Sequence, residues 1–297
     1  MNTTAALQSC GHELALGPDH WGPLRESTAI RDDAEALRAR MEEDGYLFIR
    51  DFFPRELIDR TRVAILRALG DAGAVFTGPL EEGVLAGGSS VPGLSPEITR
   101  STPEIRDVVF HPELFGFYER LLEHRILAFD YIWLRTKGFG KGTNPHCDLV
   151  YMGRGTHRLY TAWIPYGDIP FEVGGLMILE KSHLQAAKLR NYLETDVDTY
   201  CENEPDRHGW KHGGHLTTNP ASLRDKLGGR WLSAEFRMGD LLTFRMDTIH
   251  GSLDNQTRAV RLSTDTRYQR ADEPADERWI GENPVAHGPD SKRPLIC

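Results

Sequence analysis

The chain has 297 residues, of which 44 are acidic and 35 are basic, so its formal net charge at pH 7 is −9. An acidic chain with scattered basic residues argues against a nucleic-acid-binding protein, which usually carries a basic patch, and against a polybasic membrane anchor. No stretch approaches the roughly 20 apolar residues of a membrane span, and the length allows a sizeable buried core.

The N-terminus and the cysteines indicate the cellular compartment. The opening MNTTAALQSCGHELALG lacks the charged region and sustained apolar core of a secretory signal. The four cysteines lie far apart and form no Cys-x-x-Cys pair: Cys10, Cys147, Cys201 and Cys297. This usage fits a reduced protein better than a disulfide scaffold. We therefore expect a cytoplasmic protein that binds neither nucleic acid nor membranes.

The pattern over about residues 30–125 predicts mainly helices. In RDDAEALRARMEEDG the apolar residues recur at helical spacing, and Gly45 is placed to end the helix. YLFIRDFF then predicts a short strand, Pro54 suits the start of a second helix, and HPELFGFYERLLE restores the helical spacing. Residues 70–100 are rich in Gly, Ser and Pro and predict an irregular loop.

From Ile126 onward, short apolar runs separated by turns predict β-strands. The runs are ILAFDYIWLRT, the segment around NPHCDLVY, HRLYTAWIP, GGLMILE, DLLTFRM and RAVRLSTDTRYQ. Because no β-α-β helix separates them, an antiparallel barrel or jelly roll is favoured over a parallel sheet. The long polar segment 184–228 predicts a lid or binding loop. We predict a single domain over residues 1–297, with a jelly-roll core at about 126–270 buttressed by the N-terminal helices.

Two histidines and an aspartate suggest a metal site. NPHCDLVY places His146 and Asp148 two residues apart in a strand-like run, where side chains at i and i+2 project from the same face. His250 follows the strand-like DLLTFR far downstream, so only the fold can bring it to the pair. Two histidines and one carboxylate form the facial triad of non-heme Fe(II) oxygenases, although zinc hydrolases use similar ligands.

An arginine beyond the second histidine narrows the choice. Arg261 lies in RAVRLSTDTRYQ, where it is able to bind a carboxylate through two charge-assisted hydrogen bonds. Ser252 offers a hydroxyl donor to the same carboxylate. The remaining arginines of this run are predicted to lie at the surface: Arg258, Arg267 and Arg270.

Taken in order, these motifs resemble the phytanoyl-CoA dioxygenase family of Fe(II)/2-oxoglutarate oxygenases. The resemblance rests on the His146-x-Asp148 pair, on GGLMILEKSH, on HGSLDNQTRAVR and on the opening MEEDGYLFIRDFFPRELI. It covers roughly residues 30–270, and the order and spacing of the motifs are more specific than any one of them. The resemblance implies a double-stranded β-helix, which is a cupin-like jelly roll, mainly β with flanking helices.

The resemblance also implies a chemistry. His146, Asp148 and His250 would hold Fe(II), with 2-oxoglutarate as co-substrate and O2 as oxidant. The implied reaction is hydroxylation of a small organic molecule with release of succinate and CO2, and desaturation or other oxidations stay open. Related halogenases replace the carboxylate by a small residue, so Asp148 favours hydroxylation.

The co-substrate contacts follow from the same resemblance. Arg261 and Ser252 would bind the distal carboxylate of 2-oxoglutarate, and Trp163 in HRLYTAWIP would line its site. Some relatives use a lysine upstream of the His-x-Asp pair for 2-oxoglutarate. The first lysine here is Lys137, so that contact is absent or made by another residue. The substrate and the oligomeric state are not evident from the sequence.

Several other polar residues have less specific interpretations. His183 in EKSH is predicted to hydrogen-bond at a turn rather than to bind the metal. Asp247 is a candidate either for orienting His250 or for capping a turn. RHGWKHGGH is predicted to be a solvated lid rather than a zinc site, with Trp210 over the substrate, and the nearby Lys211 hints at an anionic group.

Two alternatives to the oxygenase remain at this stage. A cupin-like isomerase or hydrolase would use the same ligands without 2-oxoglutarate, so it predicts no O2-dependent succinate formation and indifference to Arg261→Ala. A catalytically silent β-helix that serves as a binding module predicts that the purified protein binds neither Fe(II) nor 2-oxoglutarate.

Overall fold

The computed structural model describes residues 6–201, 204–208 and 213–295. The strands are β1 (Gln8–Ser9), β2 (His12–Glu13), β3 (Trp21–Pro23), β4 (Tyr46–Ile49), β5 (Ile126–Ala128), β6 (Trp133–Lys137), β7 (Tyr160–Pro165), β8 (Leu176–Leu179), β9 (Thr199–Cys201), β10 (Glu204–His208), β11 (Trp231–Ser233), β12 (Leu241–Arg245), β13 (His250–Ser252), β14 (Arg261–Arg270) and β15 (Arg293–Leu295). The helices are α1 (Ala34–Asp44), α2 (Arg55–Asp71), α3 (Pro96–Ser101), α4 (Pro103–Val109), α5 (Pro112–Leu122), α6 (Leu149–Met152), α7 (Ala186–Leu193) and α8 (Pro220–Leu227).

Two sheets pack face to face at the centre of the fold. The larger sheet has the order β4-β12-β7-β14-β5, with β6 also paired to β14, and the smaller has the order β13-β8-β11-β3. Apolar side chains of both sheets meet between them, among them Trp163 of β7, Leu242 of β12 and Ile178 of β8. A mainly β architecture with two facing sheets is the jelly-roll arrangement that the strand pattern predicts.

Helices cover the outer faces of both sheets. Side chains of α1, α2, α4 and α5 pack on the larger sheet in one apolar cluster, in which Phe117 of α5 joins Leu241 of β12. The predicted first helix ends at Gly45, whose φ of 77° is the left-handed conformation that favours glycine. On the smaller sheet, Met177 of β8 packs with Leu189 of α7 and other residues of α6 and α8. These helices bury the outward-facing apolar residues of each strand.

The run ILAFDYIWLRT and the segment 184–228 both differ from the predicted elements. ILAFDYIWLRT is divided into β5 and β6, because the Asp130 and Tyr131 N–H groups bond the carbonyl of Trp279 outside the sheet. Segment 184–228 is not a structureless loop but contains α7, β9, β10 and α8, and β9 pairs with β15. Trp210 and Lys211 lie outside the described residues, so the predictions about them stay predictions.

Two further expectations concern membrane-spanning segments and the number of domains. Among the described residues no helix combines the length and the apolar character needed to cross a membrane. The assignment of the chain to a single domain remains a prediction.

Candidate metal centre and its two cavities

The structure brings His146, Asp148 and His250 together between the sheets. One ligand atom from each residue lies within 4.8 Å of the others, and all three residues are buried. The Nε2 atoms of His146 and His250 lie 3.6 and 3.7 Å from Oδ1 of Asp148. Three converging N and O ligands at this separation suit one metal ion, and this donor set is the facial triad of non-heme iron sites.

The two histidines are neighbours because their backbones pair directly. The His146 N–H donates to the His250 carbonyl at 2.9 Å, and the His250 N–H donates back at 3.0 Å. Gly251 allows this approach, since a Cβ at that position would lie 2.9 Å from the carbonyl oxygen of Thr143. A larger residue would push the two segments, and with them the two imidazoles, apart.

The prediction that His146 and Asp148 lie on one continuous strand is wrong. His146 forms only an isolated bridge, and Asp148 has helical backbone angles, φ −65° and ψ −24°, immediately before α6. The chain turns here because the N–H of the next residue, Leu149, bonds the Met246 carbonyl at 3.0 Å instead of continuing the ladder. The two side chains converge through this turn rather than through strand periodicity.

Backbone carbonyls fix the orientation of both imidazoles. Nδ1 of His146 lies 2.8 Å from the Asn144 carbonyl oxygen, and Nδ1 of His250 lies 3.1 Å from that of Thr248. A carbonyl only accepts, so each Nδ1 carries the proton and each Nε2 keeps a lone pair for a metal. Burial lowers the pKa of His250 to about 4, so this ring is neutral near pH 7.

One carboxylate oxygen of Asp148 is hydrogen-bonded by protein side chains, and the other is available to a metal ion. Oδ2 accepts from Thr161 Oγ1 at 2.5 Å and from Arg267 Nη2 at 2.7 Å, while Oδ1 faces the histidines. Burial opposes ionisation, but the charge of Arg267 holds the pKa of Asp148 well below its usual range. The Arg267 guanidinium also stacks on Trp133, 4.2 Å from the ring centroid. Asp148 is therefore an ionised ligand that offers a single oxygen.

The prediction that Arg267 lies at the surface is wrong, because the residue is 2% exposed. Strand β14 alternates its faces: Leu262 and Tyr268 pack into the outer core, whereas the odd-numbered Arg261 and Arg267 face the space between the sheets. Arg258, before the strand begins, is exposed as predicted. Because side chains alternate between the two faces of a strand, an inward position for Arg261 predicts an inward position for Arg267 as well.

One cavity lies on the arginine side of the metal ligands. It is lined by the three residues predicted to contact a co-substrate, together with both histidines and a further arginine: Arg261, Ser252, Trp163, His146, His250 and Arg135. The lining therefore combines two metal ligands with two arginines. This is the arrangement that a chelating dicarboxylate needs.

Arg261 and Ser252 are both prepared to donate hydrogen bonds into this cavity. Arg261 is buried, and its Nη1 donates to Ser263 Oγ at 3.0 Å. Ser252 Oγ accepts from the Thr143 N–H at 2.8 Å, so its own hydroxyl proton is left for a ligand. Burial lowers the pKa of Arg261 to about 10, which still leaves it charged near pH 7.

The cavity also has more positive than negative charge. Arg135 Nε donates to Asp265 Oδ2 at 2.8 Å, so one arginine is neutralised. Lys137 lies directly opposite Arg261 in the register of β6 and β14. Burial and the charges of Arg261 and Arg135 lower the pKa of Lys137 to about 8. Sequence reasoning missed Arg135 and Asp265, although Asp265 lies four residues after Arg261 on the same face of β14. A bound dianion would balance the excess charge.

A second cavity of about 280 Å³ is also lined by His146, together with Asp148. Its walls combine apolar, aromatic and polar side chains, among them Leu94, Trp133, Arg135, Tyr151, Arg267 and His287. It shares His146 and Arg135 with the first cavity, so a molecule here would adjoin the same metal centre. The volume is near the lower end of small-molecule sites, about 300–1,000 Å³.

Two further sequence interpretations have clear outcomes. His183 lies away from the triad, and its Nε2 hydrogen-bonds the Glu42 carbonyl at the end of α1, 3.1 Å away, which fits the predicted structural role. Asp247 does not contact His250 but pairs with Arg245 at 3.0 and 3.1 Å. The orienting contact of His250 comes instead from the Thr248 carbonyl.

Comparison with known proteins places this geometry in a family. The family model described as Phytanoyl-CoA dioxygenase (PhyH) matches residues 41–263, which is more than half of the chain. A 1-deoxypentalenic acid 11-beta-hydroxylase of Streptomyces arenae is 24% identical over 271 residues, covering 85% of this chain and 87% of the relative.

Solved structures agree on the fold. The non-heme alpha ketoglutarate dependent carbocyclase SnoK from nogalamycin biosynthesis has a TM-score of 0.59 and 22% identity, covering 86% of this chain and 89% of that one. EctD from S. alaskensis, solved with 2-oxoglutarate and 5-hydroxyectoine, has a TM-score of 0.60 and 16% identity, covering 99% and 97%. The predicted cupin-like jelly roll is thereby confirmed. The chain belongs to the phytanoyl-CoA dioxygenase family of Fe(II)/2-oxoglutarate-dependent oxygenases.

Proposed function

We propose that this enzyme hydroxylates a small organic molecule, with Fe(II) held by His146, Asp148 and His250. The overall reaction converts a substrate C–H bond, O2 and 2-oxoglutarate into C–OH, CO2 and succinate. Iron and 2-oxoglutarate supply the oxidising power, and the protein supplies binding, orientation and exclusion of water. The carboxylate of Asp148 occupies the position at which a halogenase would bind halide, which supports hydroxylation.

A single observation carries this proposal: two cavities adjoin the metal ligands, and they differ in size and lining. The smaller cavity has Arg261 and Ser252 in its lining together with His146 and His250, as a chelating dicarboxylate requires. The larger cavity is lined by His146 and Asp148 together with aromatic side chains such as Trp133 and Tyr151. Co-substrate and substrate would therefore each have a space of their own beside one metal ion.

Within the first cavity, Arg261 and Ser252 would bind the distal carboxylate and Trp163 would pack against the carbon chain. The space is about 30 Å³, so side chains such as Arg261 have to move apart when 2-oxoglutarate binds. Arg135 borders the metal end of the same cavity, and we assign to it the role that a lysine plays in some relatives. Its pairing with Asp265 fixes it on the inner face.

The substrate cavity indicates the size and character of the substrate. A volume of about 280 Å³ fits a compact molecule rather than a whole acyl-CoA thioester. Trp133 and Tyr151 offer aromatic surface for an apolar body. The Streptomyces hydroxylase is named for action on 1-deoxypentalenic acid, and SnoK for a step in nogalamycin biosynthesis, both of which are compatible with this reading.

The proposal is tested by measuring succinate from purified protein supplied with Fe(II), 2-oxoglutarate and O2. We expect slow succinate formation without substrate, acceleration by a suitable small molecule, and loss of both when O2 is withheld. A metabolite library with succinate readout would then identify the substrate. Product formation without O2 or 2-oxoglutarate would instead support the isomerase or hydrolase alternative.

A further inference from the structure

The segment after β14, residues 271–295, contributes to the wall of the substrate cavity. Its Trp279 is fully buried against Trp133, with ring centroids 4.8 Å apart, and the Trp279 carbonyl accepts from the Asp130 N–H at 3.0 Å. The match to the family model ends at residue 263, so this wall lies beyond the matched residues.

Asp198 anchors this segment to the insertion between β8 and β11. Its carboxylate is 1% exposed and binds three cationic or protic groups of the segment: Arg278 Nη1 at 2.6 Å, His287 Nδ1 at 2.8 Å and Lys292 Nζ at 2.9 Å. The Asp198 carbonyl also accepts from the Arg293 N–H at 2.9 Å. One buried carboxylate therefore fixes the position of the C-terminal segment over the cavity.

His287 is the member of this group that reaches the substrate cavity. Its ring packs edge-on against Trp279 at 4.8 Å and against Tyr151 at 5.9 Å. Tyr151 in turn lies 5.5 Å from the ring of His146. Tyr151 thus contacts both His287 and the metal ligand His146, and all three line the same cavity.

Both arginines in the lining of the cavity form an ion pair. Arg135 is bound to Asp265, and Arg267 is bound to Asp148 through Nη2. The Nδ1 of His287 is engaged by Asp198, whereas no described residue hydrogen-bonds its Nε2. The side chain is 37% exposed, so Nε2 is available to a ligand.

The charge balance around His287 and its hydrogen bond to Asp198 determine whether Nε2 carries a proton or a lone pair. The cluster around Asp198 contains three carboxylates and three permanent cations in contact: Asp196, Asp198 and Asp276 with Arg154, Arg278 and Lys292. A neutral imidazole keeps this cluster balanced. Because a carboxylate only accepts, the proton of the neutral ring sits on Nδ1, and Nε2 presents a lone pair.

We infer that His287 is a substrate-recognition residue whose Nε2 accepts a hydrogen bond from a hydroxyl group of the substrate. The substrate class is then a compact, mostly apolar molecule with an O–H donor. This inference rests on the proposed oxygenase function and adds to it a residue beyond those that the family model matches. Asp198 acts as a positioning residue by fixing the tautomer and the ring plane.

The test uses three probes that share one apolar body: 4-tert-butylcyclohexanol, its methyl ether and 4-tert-butylcyclohexanecarboxylate. Probe dissociation constants are read from the change in visible absorption of the anaerobic Fe(II)/2-oxoglutarate complex. We expect the alcohol to bind about tenfold tighter than the ether, the value of one hydrogen bond to a desolvated acceptor. His287→Phe keeps the stacking on Trp279 but removes the acceptor, so it should abolish this preference.

His157→Phe is the matched control, because His157 is exposed and bonds only the Gly153 carbonyl. It should retain the preference for the alcohol. The inference is overturned if the wild-type protein shows no preference for the alcohol, and weak binding of all three probes counts as no preference. It is also overturned if His287→Phe keeps the preference. Tightest binding of the carboxylate, lost in His287→Phe, overturns it as well, because it requires an imidazolium donor.

A second measurement needs neither metal nor probe. Long-range 1H–15N correlation on protein with 15N-labelled histidine should show His287 as the neutral tautomer with the proton on Nδ1, assigned through His287→Phe. An imidazolium or the opposite tautomer near pH 7 contradicts the inference. If the Fe(II)/2-oxoglutarate absorption itself fails to form, the proposed function fails, while this experiment still decides the state of His287.

Discussion

The active site has two walls that are built in different ways. The metal wall consists of residues on or beside paired strands, with Asp148, Thr161 and Arg267 in direct contact and all buried. The substrate wall includes the C-terminal segment, which is held by ion pairs to Asp198 and carries a partly exposed His287. Chemistry is fixed by the sheet, whereas substrate preference is assigned to segments that pack on the sheet from outside.

The two walls are also expected to respond differently to substitutions. In the metal wall Asp148 and Arg267 are buried partners, so removing the carboxylate leaves an uncompensated charge in a low-dielectric interior. In the substrate wall His287 is partly exposed, so water can replace a partner that this side chain loses. We therefore expect large, coupled effects on folding and metal binding at the first wall and selective effects on ligands at the second.

The largest expected effect is that of Asp148→Ala. It removes the ligand oxygen and leaves Arg267 buried without its carboxylate, so Fe(II) binding should be lost and the free energy of unfolding should fall by about 3–5 kcal/mol. Urea unfolding and anaerobic Fe(II) titration measure the two effects. Asp148→Asn keeps the side-chain shape and should lose metal binding with a smaller loss of stability. Equal stability of Asp148→Ala and wild type would contradict the paired metal wall.

Arg261→Ala should raise the KM for 2-oxoglutarate by about 100-fold, since charged hydrogen bonds are worth about 1.5–3 kcal/mol each. Fe(II) affinity in the absence of 2-oxoglutarate should change little. Arg258→Ala is the control, because that residue lies in the same run but is exposed. An unchanged KM in Arg261→Ala would remove the co-substrate role and revive an enzyme that does not use 2-oxoglutarate.

Thr161→Val sharpens the role of the groups behind Asp148. It removes the 2.5 Å hydrogen bond to Oδ2 at nearly constant volume, and we expect about a tenfold loss of Fe(II) affinity, as for other residues that orient metal ligands. Thr243→Val is the control, since Thr243 bonds Tyr118 on the opposite face of the larger sheet. Equal metal affinities in the two variants would show that Oδ2 needs no anchoring by Thr161.

The smallest effect concerns pH. Burial and the neighbouring arginines lower the pKa of Lys137 to about 8, so its positive charge is present below that pH and lost above it. The affinity for the 2-oxoglutarate dianion should therefore fall about threefold to fivefold between pH 7 and 9. Lys137→Met should flatten this profile, whereas exposed Lys141→Met should not. The same slope in Lys137→Met and wild type would contradict the assignment.

Part of the site was accessible from the sequence through the family resemblance. It assigned Trp163 and Arg261 to one site, and both border the co-substrate cavity. Strand periodicity applied along β14 from Arg261 would have added Asp265 and Arg267, but Arg267 was taken for a surface residue because it lies in a polar run. Asp148 converged on the histidines although its predicted strand is a turn, so the right grouping came with the wrong local geometry.

The substrate wall had no comparable signal. Asp198 and His287 are far apart in the chain and meet because Arg278, Lys292 and the β9–β15 pairing hold two irregular segments together. No periodicity links such residues, and ion pairs between loops leave no spacing to recognise. Tertiary contacts alone reveal that His287 borders the cavity.

The most direct measurement is an anaerobic titration of Fe(II) into the protein with 2-oxoglutarate, followed by visible absorption. A 2-oxoglutarate chelate on Fe(II) gives a weak metal-to-ligand charge-transfer band, and we expect it to saturate at one equivalent of metal and to vanish in His250→Ala. No band in the wild-type protein, or an unaltered band in His250→Ala, would contradict a metal centre built from His146, Asp148 and His250.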